Sequence, residues 1–102
     1  MKIEILHIEE CPNWQEAGVR VQTALDSSGH SDVGISYRLL RTSEEAGAVP
    51  FAGSPTILVN GEDGFPTDGQ TTDLACRIYP TGSGLAGLPT VEQLLEIFSK
   101  QK

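Results

Sequence analysis

The hydrophobic pattern changes period at one proline, and that change limits what the chain can fold into. Before Pro12, Lys2-Ile3-Glu4-Ile5-Leu6-His7-Ile8 alternates polar and apolar side chains with the period of two that a half-buried strand requires. After it, Trp14, Ala17, Val21, Ala24 and Leu25 recur at helical spacing. Pro12 suits the first helical position, where the missing N–H is no loss, and Gly29 suits the stop of a helix running from about Pro12 to Ser27 or Ser28. Cys11 then stands where strand gives way to helix, as the capping residue directed toward unpaired N–H groups.

The same two periods organise the rest of the chain. Gly34 to Leu40 alternates again and predicts a second strand. Thr42 is a capping hydroxyl ahead of Glu44 and Glu45, so a short helix begins there, and Pro50 limits its length. Thr56-Ile57-Leu58-Val59 is an apolar run too short for a helix and bounded by the turn pair Asn60-Gly61, which predicts a buried third strand. Asn60 to Asp73 reads as a long loop anchored by Phe65-Pro66. Its acids Glu62, Asp63, Asp68 and Asp73 miss the spacing of a calcium loop and read as a solvated surface. Ala75-Cys76-Arg77-Ile78-Tyr79 predicts a fourth strand ended by Pro80, and Gly82, Gly84 and Gly87 a flexible connection. Thr90 and Gln93 form a capping box before a last helix whose apolar face is Val91, Leu94, Leu95 and Phe98. The expected order is β-α-β-α-β-β-α, with the first two strands parallel by a right-handed crossover. That is an α/β three-layer sandwich around a mixed four-stranded sheet.

A chain of 102 residues leaves no room for a second core, so residues 1–102 are expected to form one domain. Fourteen acidic residues against seven basic ones give a net charge of −7, which repels phosphate backbones and anionic membrane surfaces, so neither nucleic acid nor membrane is an expected partner. No segment approaches the ~18 to 20 apolar residues of a membrane span. Met1-Lys2-Ile3-Glu4 runs into a strand pattern rather than a signal core, and the expected location is cytoplasmic. The two cysteines are too few for a secreted disulfide scaffold or a closed zinc site without other ligands, which leaves reactive-thiol chemistry or plain burial. The pattern calls for no cofactor and no metal.

The element order, with Cys11-Pro12-Asn13-Trp14 at the first helix start and Gly53-Ser54-Pro55-Thr56 before the third strand, resembles the thioredoxin fold over nearly the whole chain. The resemblance implies that Phe51 to Thr56 is a proline loop, with Pro55 cis and set against a reactive Cys11. Cys11 and Cys76 are then the catalytic candidates, and Trp14, Ser54, Pro55 and Thr56 the substrate-binding ones. Helix N–H groups favour a thiolate at Cys11, while Glu9 and Glu10 act against it. His7 offsets them if its ring turns toward the site. Trp14 stands where the family's dithiol pattern has its second cysteine, so Cys11 acts as a monothiol or is resolved by Cys76, which reads on its own as a small buried hydrophobe. Trp14 itself reads first as a core or site-covering aromatic, and Tyr37 and Tyr79 as packing residues with a wet tip.

Gly53 to Gly61 and Cys76-Arg77-Ile78-Tyr79 are also similar to a poorly characterised bacterial group of thioredoxin-like proteins, some labelled alkylmercury lyase. Three functions follow as expectations. The first is a thiol/disulfide oxidoreductase or redox-responsive protein, partnered by a thiol or disulfide protein or by a small thiol such as glutathione. The second is a non-catalytic module that pairs a peptide with the Ser54 backbone at the proline loop. The third and most remote is organomercurial or soft-metal handling, which needs a carboxylate beside both cysteines. Oligomeric state is open; an exposed strand edge offers one route to a homodimer.

Overall fold

In a computed structural model, which describes residues 1–66 and 74–100, the alternation before Pro12 becomes β1 (Ile3–His7) and the helical spacing after it becomes α1 (Asn13–Ser27). The helix ends where Gly29 takes φ +82 and the His30 N–H returns to the Leu25 carbonyl at 2.8 Å. There follow β2 (Ile35–Leu39), α2 (Ser43–Gly47) and β3 (Thr56–Val59). α3 (Val91–Ser99) closes the described chain. Both predicted hydroxyl caps form complete capping boxes: Thr42 with Glu45, and Thr90 with Gln93.

β1 lies parallel to β2 and antiparallel to β3, with Ile5 opposite Tyr37 on one side and Ile57 on the other. The fourth strand is not the expected one. Asn60 at φ +55 and Gly61 at φ +86 make a tight reversal, and the next two residues return against β3 as β4 (Glu62–Asp63), giving a mixed sheet in the order β2-β1-β3-β4. Part of the expected acidic loop is therefore strand; Asp68 and Asp73 lie outside the described residues. Ala75 to Tyr79 forms no ladder with the sheet. It crosses the proline loop through a single parallel bridge between Cys76 and Ser54. Tyr79 then opens a separate hairpin, β5 (Tyr79–Thr81) with β6 (Gly84–Ala86), in place of the expected flexible connection. The observed order is thus β-α-β-α-β-β-β-β-α.

The molecule is mixed α/β, with three helices and a four-stranded mixed sheet among the described residues. Alternation along β1 sends Ile3 and Ile5 to one face, where α1 and α3 bury them with Val21, Leu25, Leu94 and Phe98. Leu6 and Ile8 go to the other face, with Leu58, Leu40, Phe51, Ala46 of α2, and Cys11. No helix among the described residues is long and apolar enough to cross a membrane.

Candidate functional site

Cys11 does not cap the helix. Pro12 occupies the N-cap with helical φ and ψ, no side chain caps the helix, and the Cys11 thiol turns instead to donate to the Ser54 carbonyl at 3.5 Å. The reason is packing: Cys11 belongs to the apolar cluster under α2 and is 0 % exposed, with the proline loop as its neighbour.

Ser54 organises the site with every polar group it has. Its hydroxyl accepts the Ile8 N–H at 3.1 Å and so ties the loop to the end of β1. Its own N–H donates to the Ala75 carbonyl at 2.8 Å, and its carbonyl accepts the Arg77 N–H at 2.8 Å as well as the Cys11 thiol. The Ser54–Pro55 peptide bond is cis. Thr56 Oγ1 accepts the Ala52 N–H at 3.0 Å and donates to the Gly53 carbonyl, so it fixes the loop from inside rather than facing a substrate. Gly53, at φ +108, permits the crossing segment to come close. A Cβ there would lie 2.8 Å from Arg77 Cβ and 2.9 Å from Arg77 Cα, which no side-chain rotation relieves.

The segment Leu74–Arg77 is therefore a strap over the proline loop. Leu74 packs on the apolar cluster that contains Cys11. Arg77, almost fully buried, donates from Nη1 to Asp63 Oδ2 at 2.9 Å and from Nη2 to the Phe65 carbonyl, and its guanidinium lies 4.5 Å from the centre of the Tyr79 ring. The Tyr79 hydroxyl donates to the Pro55 carbonyl, so its tip is bonded inside the protein and not wet, and burial pushes its phenol far above the ordinary range.

Between Ala75 and Arg77, the strap presents Cys76. It is exposed, not buried as the apolar context of its sequence suggests. Its thiol is pushed up to about 11, first by the neighbouring Cys11 side chain, then by desolvation, with the Glu10 charge adding to the rise. Two cysteines with 64 residues between them thus meet beside the Ser54 carbonyl, both as free thiols.

His7 and Trp14 belong to the other face. Their rings stack at 4.4 Å and 19°, and Tyr37 meets Trp14 edge-on at 5.6 Å, its hydroxyl seated over the bare Gly18 backbone. Trp14 is half-buried against the α1/α3 core and His7 Nδ1 is buried without a partner, so burial lowers the imidazole's pKa, while the Ile8 backbone acts in the opposite sense.

Reasoning from sequence passed over Arg77 and Ala75. A buried arginine needs a carboxylate, a rule that directs attention to the acids of the preceding loop, of which the structure shows Asp63 as the partner. A cleft of ≈ 370 Å³ lined by Phe65, Arg77, Tyr79 and Ile97 lies beyond the strap and includes neither cysteine. Among the described residues no group of three or more His, Cys, Asp or Glu side chains is placed to hold a metal ion. Comparison with protein-family models, curated proteins and solved structures finds no match for this chain.

Proposed function

We propose that the chain is a thioredoxin-like thiol–disulfide redox protein whose working pair is Cys11 and Cys76. The observation that carries this reading is the convergence of both cysteines on Ser54, whose carbonyl accepts the Cys11 thiol at 3.5 Å and whose backbone bridges to Cys76 in the strap. The sheet order, the position of Cys11 before α1 and the cis bond at Ser54–Pro55 are compatible with the thioredoxin-like arrangement and support the reading. Cys76 takes the part that Trp14 leaves vacant in the sequence motif. Oxidation joins the two free thiols in a disulfide bond, and two electrons and two protons pass to the oxidant. A small thiol couple of the glutathione kind, in a cytoplasmic setting, is the partner this chemistry suits.

The reading that a peptide pairs with the Ser54 backbone has less support, because the Ser54 N–H and carbonyl both bond the chain's own strap. Handling of soft metals has no assembled ligand set among the described residues.

Intact mass and free-thiol count after mild oxidation of the native protein test the proposal. The expected wild-type product is a monomer that has lost both thiols and gained no adduct, while Cys11→Ser and Cys76→Ser each fail to close the bridge. Two thiols that persist in the folded wild type under oxidant overturn it.

A further inference from the structure

Resting on that redox reading, we infer that Cys76 is the thiol that first meets the substrate, that Cys11 resolves the product, and that the substrate is a low-molecular-weight disulfide rather than an extended polypeptide. Sequence position suggests the reverse order, with Cys11 at the helix start attacking first. One feature of the geometry reverses that order, and a second sets the class of substrate.

The first is access. Cys11 is 0 % exposed, enclosed by Leu6, Ile8, Leu40, Phe51 and Leu58, and its thiol is directed at a carbonyl inside the protein. Cys76, in the strap, is exposed to solvent. A disulfide arriving from solvent reaches Cys76 without any part of the fold opening, whereas attack by Cys11 requires the strap to lift.

The second is the state of the backbone edge. An extended peptide gains affinity at such a loop by adding main-chain hydrogen bonds to an unpaired edge. Here both free groups of Ser54 are taken, one by the Ala75 carbonyl and one by the Arg77 N–H, and the strap is further held by the Arg77–Asp63 ion pair. The chain fills its own peptide position, and the residue it places there is the second cysteine.

The steps balance as follows. The Cys76 thiol loses its proton to solvent, and its thiolate attacks one sulfur of a disulfide RSSR. The S–S bond breaks, a mixed disulfide forms on Cys76, and RS⁻ departs to take up a proton. The Cys11 sulfur then attacks the Cys76 sulfur, the bond to the remaining RS group breaks, and that group leaves with the proton Cys11 gives up. The protein ends with a Cys11–Cys76 disulfide and the substrate as two thiols, RSH.

Oxidised glutathione is the probe. Reduced wild-type protein, Cys11→Ser, Cys11→Ala and Cys76→Ser are mixed with it at one pH, quenched in acid at intervals, and read by intact mass and peptide mapping. The expected result is a glutathione adduct on Cys76 that accumulates in both Cys11 variants, appears transiently on Cys76 in wild type, and forms at least tenfold more slowly on Cys11 in Cys76→Ser. The acid-quenched wild type makes the test independent of whether a core substitution disturbs folding. An adduct on Cys11 that precedes the one on Cys76 in wild type, or forms in Cys76→Ser at the wild-type rate, overturns the assigned order and leaves the redox reading standing. Disulfides in an unfolded polypeptide reacting as fast as oxidised glutathione overturn the substrate class alone. Absence of any adduct or bridge in every form overturns both the inference and the redox reading.

Discussion

The two faces of the central sheet are covered in different ways. One is closed by α1 and α3, of 15 and 9 residues, over Ile3, Ile5, Ile57 and Val59. The other is closed by the five-residue α2, by Phe51 before the proline loop, and by Leu74 at the start of the strap. On the helical face, cover and core are one cooperative packing unit. On the strap face, cover depends on two backbone hydrogen bonds to Ser54 and one buried ion pair, which is the kind of attachment that opens locally at a free-energy cost below that of unfolding. Cys11 sits under the lighter cover, and Cys76 is part of it. The difference teaches that the main packing unit of this chain lies on the opposite side of the sheet from its two cysteines.

Substitutions on the two faces should therefore behave differently. Phe98→Ala, in the helical core, is expected to cost about 3 to 5 kcal/mol and to leave thiol pairing intact in whatever fraction stays folded, as read by denaturant unfolding and thiol titration. Arg77→Ala leaves Asp63 without its buried partner and frees the strap, with an expected cost of about 3 kcal/mol and a Cys11 that becomes reactive toward a soluble alkylating reagent in the native protein. If Cys11 stays protected in that variant, the strap is not what shields it. Gly53→Ala acts on the same contact through the Arg77 backbone and is expected to cost about 2 kcal/mol, with loss of Arg77 amide protection in hydrogen exchange; an unchanged exchange rate would break the comparison.

The next effect is chemical. Because Cys11 is the largest cause of the raised Cys76 pKa, Cys11→Ser should speed alkylation of Cys76 at pH 8 by about tenfold, the gain in thiolate being partly offset by the lower intrinsic nucleophilicity of a more acidic thiol. In wild type the rate should keep rising with pH toward about 11. A wild-type profile that levels near the ordinary thiol range would separate the two cysteines.

The smallest effect belongs to His7. Its imidazole is held neutral by burial, so the folded state binds its proton less readily than the unfolded chain does. This contribution is fully present above the unfolded value of ~6.5 and is lost as pH falls below it. Denaturant midpoints at pH 8 and pH 5 should show the decline, and His7→Phe, which keeps a ring against Trp14, should flatten it.

β1, α1 and α3 were legible because each repeats a period, and β3 because an apolar run too short for a helix stops at the Asn60-Gly61 turn. The strap face was not. Glu62–Asp63 is two acidic residues with no period to read, and its only sequence signal is the Asn60-Gly61 pair, which announces a returning strand as well as the end of one. Ala75 to Tyr79 has strand composition, yet Arg77 is drawn inward by Asp63 and Cys76 is left outside, an inversion that depends on a partner 14 residues away. The meeting of Cys11 and Cys76 depends in turn on Ser54, whose backbone bonds carry no residue-type signature.

One carbonyl carries a consequence of its own. Ser54 oxygen has two lone pairs and, in the dithiol form, two donors: a thiol and the Arg77 amide. Disulfide formation removes the thiol donor and leaves the amide in place. The strap's anchors at Ser54, the Arg77 amide on its carbonyl and the Ser54 N–H on the Ala75 carbonyl, therefore do not depend on the thiol, so the proposed bridge asks neither of these bonds to break.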